Sequence, residues 1–284
     1  MGCTKISAGC KNCYAVTMAN RLGAMDYANP TPGTEAYRGL TVKTPAGKTE
    51  WSGFARYIPK KVLEPVKRKK PTMYFTGSMA DMFHETVHDD WLDQVMATIA
   101  QTPQHTYQIL TKRPERGLEY FQNLDMERIK AILLERSDRG SVSQDFNLSL
   151  PFPNLWLGVS VENKSVIPRI DSLIGTPAAV HFLSCEPLLE DISLELHPYY
   201  EFLDWIIVGG ESGANARPFH MSWLMKIFAD CKFRDFPLFV KQLGSNPVTG
   251  MEDKPLGLKA KKGDDMSEWP IPYQGLRQFP KLKD

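Results

Sequence analysis

The sequence contains 284 residues, of which 42% are hydrophobic and 24% are charged. This composition is that of a globular protein and excludes a mainly disordered, collagenous or coiled-coil chain. The 34 lysines and arginines nearly balance the 33 acidic residues, so the net charge of +1 excludes a uniformly basic, histone-like binder of nucleic acid. The sequence has no apolar stretch of membrane-spanning length and no signal-peptide core, and we therefore expect a cytoplasmic protein without membrane association.

Six short apolar runs, rich in β-branched and aromatic residues, predict β-strands. Because each run is apolar nearly throughout, we expect both of its faces to be covered, as in a parallel sheet. The predicted strands are residues 72–76, 106–111, 155–161, 180–184, 205–208 and 237–240.

Helical patterns lie between several of these runs. Apolar residues recur at helical spacing in segments 90–101 and 127–136, and Ser222 is positioned to cap a helix that extends to Phe228. The alternation of strands and helices predicts an α/β fold, a partial (β/α) barrel of parallel strands that is similar to a TIM barrel.

Two segments fall outside this alternation. Residues 26–57 are predicted to be an insertion or a covering lobe, and the residues after the last strand run are predicted to be an irregular tail. We therefore expect one α/β domain over residues 1–244, followed by an irregular C-terminal extension over residues 245–284.

Polar residues follow every predicted strand. In parallel α/β folds, the carboxyl ends of the strands carry the chemistry, so these residues are predicted to line one functional cavity. The glycines at 209 and 210 allow the backbone to approach a ligand closely, although the segment is neither GxGxxG nor a P-loop. The strand ends contain Thr76, Gly77, Ser78 and Asp81; Lys112 and Arg113; Ser160 and Glu162; Glu186; Gly209, Gly210 and Glu211; and Lys241.

Three of the five cysteines lie within the first 13 residues, as C-x6-C-x2-C. A thiolate is a metal ligand, and three thiolates on one short segment can surround one metal centre. Zinc in a structural site needs a fourth ligand, for which neither Cys185 nor Cys231 has a suitable spacing. An iron–sulfur cluster held by three cysteines leaves one iron open for a substrate or cofactor, and we favour this interpretation over zinc.

The segment His84–Glu85–Thr86–Val87–His88 satisfies the HExxH pattern of zinc proteases. That chemistry needs the two histidines on one helix, with the glutamate as the base. Here a helix is predicted to begin only near the second histidine, so we interpret the match as coincidental.

The cysteine spacing followed by a partial barrel resembles the radical S-adenosylmethionine (radical SAM) superfamily. Nearly the whole chain is similar, more narrowly, to a phage- and bacteria-associated family of radical-SAM-like proteins of uncharacterised function. The segments that carry this resemblance are GCTKISAGCKNCYA (2–15), YFTGSMADMFHE (74–85), QILTKRPER (108–116), LWLGVSVEN (155–163), FLSCEPLL (182–189), DWIIVGGESGANARP (204–218) and FVKQLG (239–244).

The resemblance implies a [4Fe–4S] cluster on Cys3, Cys10 and Cys13, with S-adenosyl-L-methionine on the open iron. Reductive cleavage would give a 5′-deoxyadenosyl radical that abstracts a hydrogen atom from the substrate, and the electron would come from a reductant such as flavodoxin or ferredoxin. The residues implied to bind the cofactor are Thr76, Gly77, Ser78, Ser160, Glu162, Glu186, Gly209, Gly210 and Glu211, and those implied to bind the substrate are Asp81, Lys112, Arg113 and Lys241.

The sequence departs from the usual superfamily pattern in three ways. Six residues rather than three separate the first two cysteines, and Asn12 rather than an aromatic residue precedes the third. The superfamily also has a strand before its first cysteine, whereas Cys3 follows Met1 by two residues. We interpret the N-terminus as truncated or misassigned, with the first barrel strand missing.

The substrate class is predicted from charge. Basic runs occur at residues 60–61, 67–70 and 259–262, and aromatic residues lie near the first two. Such groups suit contacts to phosphates and stacking on bases, which favours a nucleic acid or a nucleotide as substrate. The alternative hypothesis is a non-catalytic binding protein that zinc or a degenerate cluster stabilises. The two hypotheses differ in whether the reconstituted protein cleaves S-adenosyl-L-methionine.

Overall fold

A computed structural model describes residues 1–137, 148–250 and 253–281. The chain divides into two compact units. Unit 1 consists of residues 1–6, 13–157 and 175–179, and unit 2 consists of residues 7–12, 158–174 and 180–284. The cysteine segment therefore contributes to both, because Cys3 and Cys13 belong to unit 1 and Cys10 belongs to unit 2.

The described residues form eleven strands and eight α-helices. The strands are β1 (Thr41–Lys43), β2 (Thr49–Trp51), β3 (Met73–Thr76), β4 (Thr106–Thr111), β5 (Leu155–Ser160), β6 (Val180–Cys185), β7 (Trp205–Gly209), β8 (Phe219–His220), β9 (Leu238–Gln242), β10 (Pro247–Thr249) and β11 (Lys254–Pro255). The helices are α1 (Tyr14–Ala28), α2 (Pro59–Leu63), α3 (Asp89–Gln101), α4 (Pro114–Gln122), α5 (Met126–Ser137), α6 (Arg169–Ile174), α7 (Ser193–Leu196) and α8 (Met221–Phe233).

The six predicted strands are all present and belong to one sheet, in the order β3-β4-β5-β6-β7-β9. The pairs β3–β4, β6–β7 and β7–β9 are parallel. A strand order that follows the chain order is typical of (β/α) barrels, whereas doubly wound sheets reverse direction at a switch point. The fold is thus mixed α/β with a six-stranded parallel sheet, and it is consistent with the predicted partial barrel.

Strand β3 differs from the prediction that both faces of each strand are covered. Met73 and Phe75 are 45% and 49% exposed, although every residue of β5 is buried. The difference arises because β3 is the terminal strand in the sheet order. A strand at the edge of a sheet has a neighbour on one side only, so the same apolar pattern does not guarantee burial.

The helices of unit 1 follow the predicted amphipathic pattern. Helix α3 buries Leu92, Met96 and Ile99, and α5, which packs against it, buries Ile129 and Leu133. Two aspartates in the first turn of α3 favour its start electrostatically, since a helix N-terminus carries partial positive charge. Residues 26–57 contain the end of α1 and the antiparallel hairpin β1–β2.

Unit 2 is built on β6, β7 and β9. Gly158 makes room for the ring of Phe182, because a Cβ at position 158 would lie 2.3 Å from a ring carbon. Helix α8 begins at Met221, so the prediction that Ser222 caps it is wrong. His220 occupies the cap position and makes no side-chain cap bond.

The C-terminal segment of unit 2 is less irregular than predicted. Strand β10 pairs with both β8 and β11. The tail runs along the outer side of β9. There the N–H of Val240 donates a hydrogen bond to the carbonyl of Leu276 at 2.6 Å. The indole of Trp269 is buried and donates to the carbonyl of Gly263 at 3.0 Å. The tail therefore covers an edge of the sheet that would otherwise be open to pairing.

Candidate functional site

The two ends of the cysteine segment in unit 1 are attached to the same turn after β3. The N–H of Gly2 donates to the carbonyl of Met79 at 3.1 Å, and the hydroxyl of Tyr14 donates to the carbonyl of Ser78 at 2.9 Å. Gly2 has a φ of +98°, and a Cβ there would lie 2.3 Å from the carbonyl oxygen of Phe54. Only glycine fits that position. Unit 1 thus fixes the residues beside Cys3 and Cys13 at the carboxyl end of β3.

Asp81 is a buried acceptor at the same end of unit 1. Its carboxylate accepts hydrogen bonds from the Thr111 hydroxyl at 2.7 Å, from the N–H of Lys112 at 3.0 Å and from Arg113 Nη1 at 3.2 Å. The predicted substrate residues Asp81, Lys112 and Arg113 therefore do come together. These contacts connect the ends of β3 and β4 to each other.

Arg113 extends this connection to the first cysteine. Its Nη1 atom lies 3.8 Å from Cys3 Sγ, its Nη2 atom donates to the hydroxyl of Thr4, and its Nε atom donates to Glu85 at 3.1 Å. Burial is the largest influence on the Cys3 thiol, followed by the carboxylate of Asp81. Together they raise its pKa to about 11 against the opposing effect of Arg113.

The HExxH residues do not form a helical zinc motif. Helix α3 begins at Asp89, after the second histidine. His84 is fully buried, with its Nε2 atom 3.1 Å from the Thr4 hydroxyl and its Nδ1 atom 2.9 Å from the Thr86 hydroxyl. Burial and the nearby Arg113 lower the pKa of this imidazole. The interpretation of the match as coincidental is confirmed, since the residues lack the helix that the chemistry needs.

The middle of the cysteine segment belongs to unit 2, where Glu162 holds it. This carboxylate follows β5 and is fully buried. Its Oε1 atom accepts hydrogen bonds from the Ser7 hydroxyl and from the N–H of Gly9, the latter at 3.0 Å. Its Oε2 atom accepts one from Arg169 at 3.1 Å, and Arg169 also donates to the carbonyl of Ser160 at 2.8 Å. One oxygen of Glu162 therefore pairs with the buried Arg169, and the other binds Ser7 and Gly9 of the cysteine segment.

Glu211, which follows β7, holds the end of the same segment in unit 2. It accepts a hydrogen bond from Asn12 Nδ2 at 3.0 Å and two from the Arg217 side chain, at 3.0 and 2.6 Å. Arg217 Nη1 in turn donates to the carbonyl of Ala8 at 2.9 Å. Burial opposes ionisation of Glu211, but the hydrogen bonds from Arg217 and Asn12 outweigh it, and its pKa lies below the usual range.

Cys10 lies between these two attachments in unit 2. It is buried, and its sulfur is 3.7 Å from the hydroxyl of Ser7. Ser7 and Asn12, which flank it, are thus bound to carboxylates from two different strand ends. We refer to residues 7–12 with Glu162, Arg169, Glu211 and Arg217 as the loop clamp.

The remaining strand-end residues of unit 2 form a separate set of contacts. Glu186 accepts a hydrogen bond from the Ser184 hydroxyl at 3.1 Å and forms an ion pair with Lys241 at 3.3 Å. A Cβ on Gly209 would lie 2.7 Å from the Glu186 carboxylate, and one on Gly210 would lie 2.2 Å from the carbonyl of Leu243. Gly210 is therefore required by close packing against the backbone, whereas a side chain at position 209 would displace the end of the Glu186 side chain.

The predicted cofactor turn of unit 1 borders a cleft of about 300 Å³. Thr76, Gly77 and Ser78 all contribute to its lining. Gly77 has a φ of +82°, and the Thr76 hydroxyl donates to the carbonyl of Gln108 at 3.1 Å. The prediction that Ser78, Lys112, Glu162, Glu186 and Glu211 share one cavity stays a prediction, because the first two belong to unit 1 and the others to unit 2.

Among the described residues, no group of three or more His, Cys, Asp or Glu side chains is arranged to hold a metal ion. The five cysteines are free, and Cys185 and Cys231 are buried, the latter in α8 as predicted.

Sequence reasoning missed several residues of the loop clamp. Ser7, Gly9 and Asn12 carry no signal that predicts an anchoring role. Arg169 and Arg217 follow their carboxylates by seven and six residues, which is no helical pairing interval. The one available signal was the presence of a cation shortly after each strand-end glutamate.

Comparisons with known proteins give one match. Residues 1–269 match a family described as "Protein of unknown function (DUF5131)". No curated protein matches the chain, and no solved structure does. Within the described part of the chain, no helix combines the length and the apolar character needed to cross a membrane.

Proposed function

Since the chain belongs to this family of unknown function, we propose its activity from its own residues: it is a radical SAM enzyme. Cys3, Cys10 and Cys13 would bind a [4Fe–4S] cluster, and S-adenosyl-L-methionine would occupy the iron without a protein ligand. The observation that carries the proposal is the attachment of the whole cysteine segment to strand ends. The segment is held by the buried Glu162–Arg169 pair, by the partly buried Glu211–Arg217 pair and by the buried Arg113.

The donor chemistry of the segment supports a cluster. Three thiols within eleven residues, none in a disulfide, are the ligands that iron–sulfur clusters use. When bound, the cluster supplies the electron that cleaves S-adenosyl-L-methionine into methionine and a carbon radical, which takes a hydrogen atom from the substrate. That electron would come from an external reductant such as flavodoxin or ferredoxin.

The chain's own residues position the ligands. In unit 1, Arg113 places a cation 3.8 Å from the Cys3 sulfur, where it partly offsets the burial and the Asp81 carboxylate that raise the pKa of this thiol. In unit 2, the loop clamp fixes the backbone on both sides of Cys10 and keeps that thiol from bulk water. The turn Thr76–Gly77–Ser78 and the strand-end glutamates remain our predicted cofactor residues.

Anaerobic reconstitution tests the proposal. We expect about four iron and four sulfide per chain, with formation of 5′-deoxyadenosine and methionine after addition of a reductant and S-adenosyl-L-methionine. Cys10→Ala should abolish cluster assembly. Cys231→Ala, which removes a buried thiol from α8, is the matched control and should retain it.

Two outcomes would overturn the proposal. Stoichiometric zinc without iron would favour the non-catalytic, metal-stabilised protein. A cluster that assembles but never cleaves S-adenosyl-L-methionine, with any reductant, would show a binding protein that retains a degenerate cluster.

A further inference from the structure

The positive charge of the chain is concentrated in one stretch of unit 1. Residues 55–75 contain seven cationic residues and one acidic residue, a net charge of +6, whereas the whole chain carries +1. The rest of the chain is therefore net negative. We call residues 55–75 the basic segment. An isolated positive region on a nearly neutral protein is the electrostatic footprint of a polyanion-binding surface.

The cations of this segment face solvent on a fixed backbone. Residues 67–70 are all exposed, and within the described residues none of their side chains has an ion-pair partner. The carbonyl of Arg68 accepts a hydrogen bond from Gln104 Nε2 at 3.3 Å, and that of Lys70 accepts one from the Thr72 hydroxyl at 2.9 Å. The backbone that carries these charges is therefore anchored.

Aromatic rings lie in the same part of unit 1. The cleft of about 300 Å³ in unit 1 is lined by Tyr57, Phe75 and Trp91, and by Arg56 and Lys61 from the basic segment. Tyr57 and Trp91 are stacked with ring centroids 5.4 Å apart, and Phe75 is 49% exposed. Lys61 of this cleft pairs with Glu64 at 2.8 Å, whereas residues 67–70, in the same segment as Phe75, have no ion-pair partner among the described residues. Single-stranded nucleic acids use cations and exposed rings together, with phosphates on the cations and bases on the rings.

We propose that the basic segment and its aromatic cleft bind single-stranded nucleic acid. An acidic protein or an anionic membrane would use the charges but leave the ring faces without a role. A duplex would hide its bases from the rings. The surface lies outside the cysteine segment, and binding needs neither a cluster nor S-adenosyl-L-methionine. Binding of nucleic acid can therefore fail while cluster assembly succeeds, and cluster assembly can fail while binding succeeds.

Fluorescence anisotropy tests the proposal with the purified chain as isolated. The probe is a labelled oligodeoxythymidine of roughly 20 nucleotides, longer than the usual single-strand site of about 4–16 nucleotides. Binding is measured over a series of salt concentrations. The test variant changes Lys67, Lys69 and Lys70 to glutamine, and the matched control changes three exposed lysines outside the basic runs, Lys130, Lys226 and Lys232, to glutamine.

We expect the test variant to bind more weakly and to lower the slope of log K against log salt by about 2, since each phosphate contact to a single strand contributes about 0.7. The control should match wild type. Phe75→Ala should weaken binding roughly 5- to 150-fold without changing the slope, because a stacked base is worth about 1–3 kcal/mol.

The proposal is wrong if the test variant binds like wild type, or if the control loses as much affinity as the test variant. Equal affinity for a duplex of the same length would show that the rings do not stack on bases. Tighter binding to phosphatidylserine vesicles than to the oligonucleotide would identify a membrane surface instead.

Discussion

Replacement of Glu162 by glutamine tests the loop clamp. The side chain keeps its size but loses its charge, so Arg169, whose side chain is 9% exposed, is left as an uncompensated buried cation. Breaking a buried pair in this way costs about 3–5 kcal/mol. The Ser7 hydroxyl and the Gly9 N–H also lose a charged acceptor, and a hydrogen bond to a charged group contributes about 1.5–3 kcal/mol.

Two measurements follow from these magnitudes. Urea unfolding, monitored by fluorescence and circular dichroism together, should show a loss of about 3–5 kcal/mol for Glu162→Gln. Glu195→Gln, which removes the partner of the surface residue Lys164 in the same unit, should lose at most about 1 kcal/mol. The rate at which a thiol reagent modifies Cys10 should rise roughly 10- to 150-fold as the segment is released.

The reasoning would be refuted if Glu162→Gln were no more destabilising than Glu195→Gln. It would also be refuted if Cys10 reacted at the wild-type rate in a variant that had lost stability, because the carboxylate would then support the fold without holding the segment. A double variant, Glu162→Gln with Arg169→Met, should recover part of the lost stability, since it removes the orphaned charge.

Three further changes have defined outcomes. Gly158→Ala should lower stability by about 1–3 kcal/mol in thermal unfolding, because its Cβ would lie 2.3 Å from the Phe182 ring. Adding Phe182→Leu should recover part of the lost stability, and no recovery would contradict the steric explanation. Wild type should be more stable than Glu211→Gln, and this difference should be full above the ordinary carboxyl pKa of 4.5. The difference should disappear as the pH falls through the lowered pKa of Glu211 in the folded state. A difference that grows on acidification would show that folding raises this pKa instead of lowering it. Arg113→Lys keeps the charge, but a lysine cannot donate to Asp81, Glu85 and Thr4 together, and we expect a lower yield of cluster on reconstitution. An unchanged yield would show that the three hydrogen bonds of the guanidinium group are dispensable.

The sheet could be predicted from the sequence because continuous apolar runs are typical of buried parallel strands. The end of β4 was predicted at the correct residue, and α3 and α5 within one residue at each end. The exposure of Phe75 could not be predicted, since apolarity does not reveal which strand is at the edge. The cap at Ser222 was wrong because the helix already begins one residue earlier, where no side chain supplies the cap.

The site was predictable by residue type but not by contact. Glu162, Glu211, Asp81 and Arg113 were identified from their position after strands. Their partners Ser7 and Asn12 lie 155 and 199 residues away from the two glutamates, and no local pattern encodes such a pairing. Local sequence therefore indicated where charge would collect, and only the fold revealed that two of these carboxylates hold the cysteine segment.

The central claim is that the first three cysteines bind a [4Fe–4S] cluster with one open iron. Electron paramagnetic resonance of the reduced, anaerobically reconstituted protein, with and without S-adenosyl-L-methionine, tests it most directly. We predict the signal of one such cluster per chain, and a change in that signal when S-adenosyl-L-methionine binds the open iron. A spectrum that the compound leaves unchanged, or the absence of any cluster signal beside bound zinc, would contradict the account.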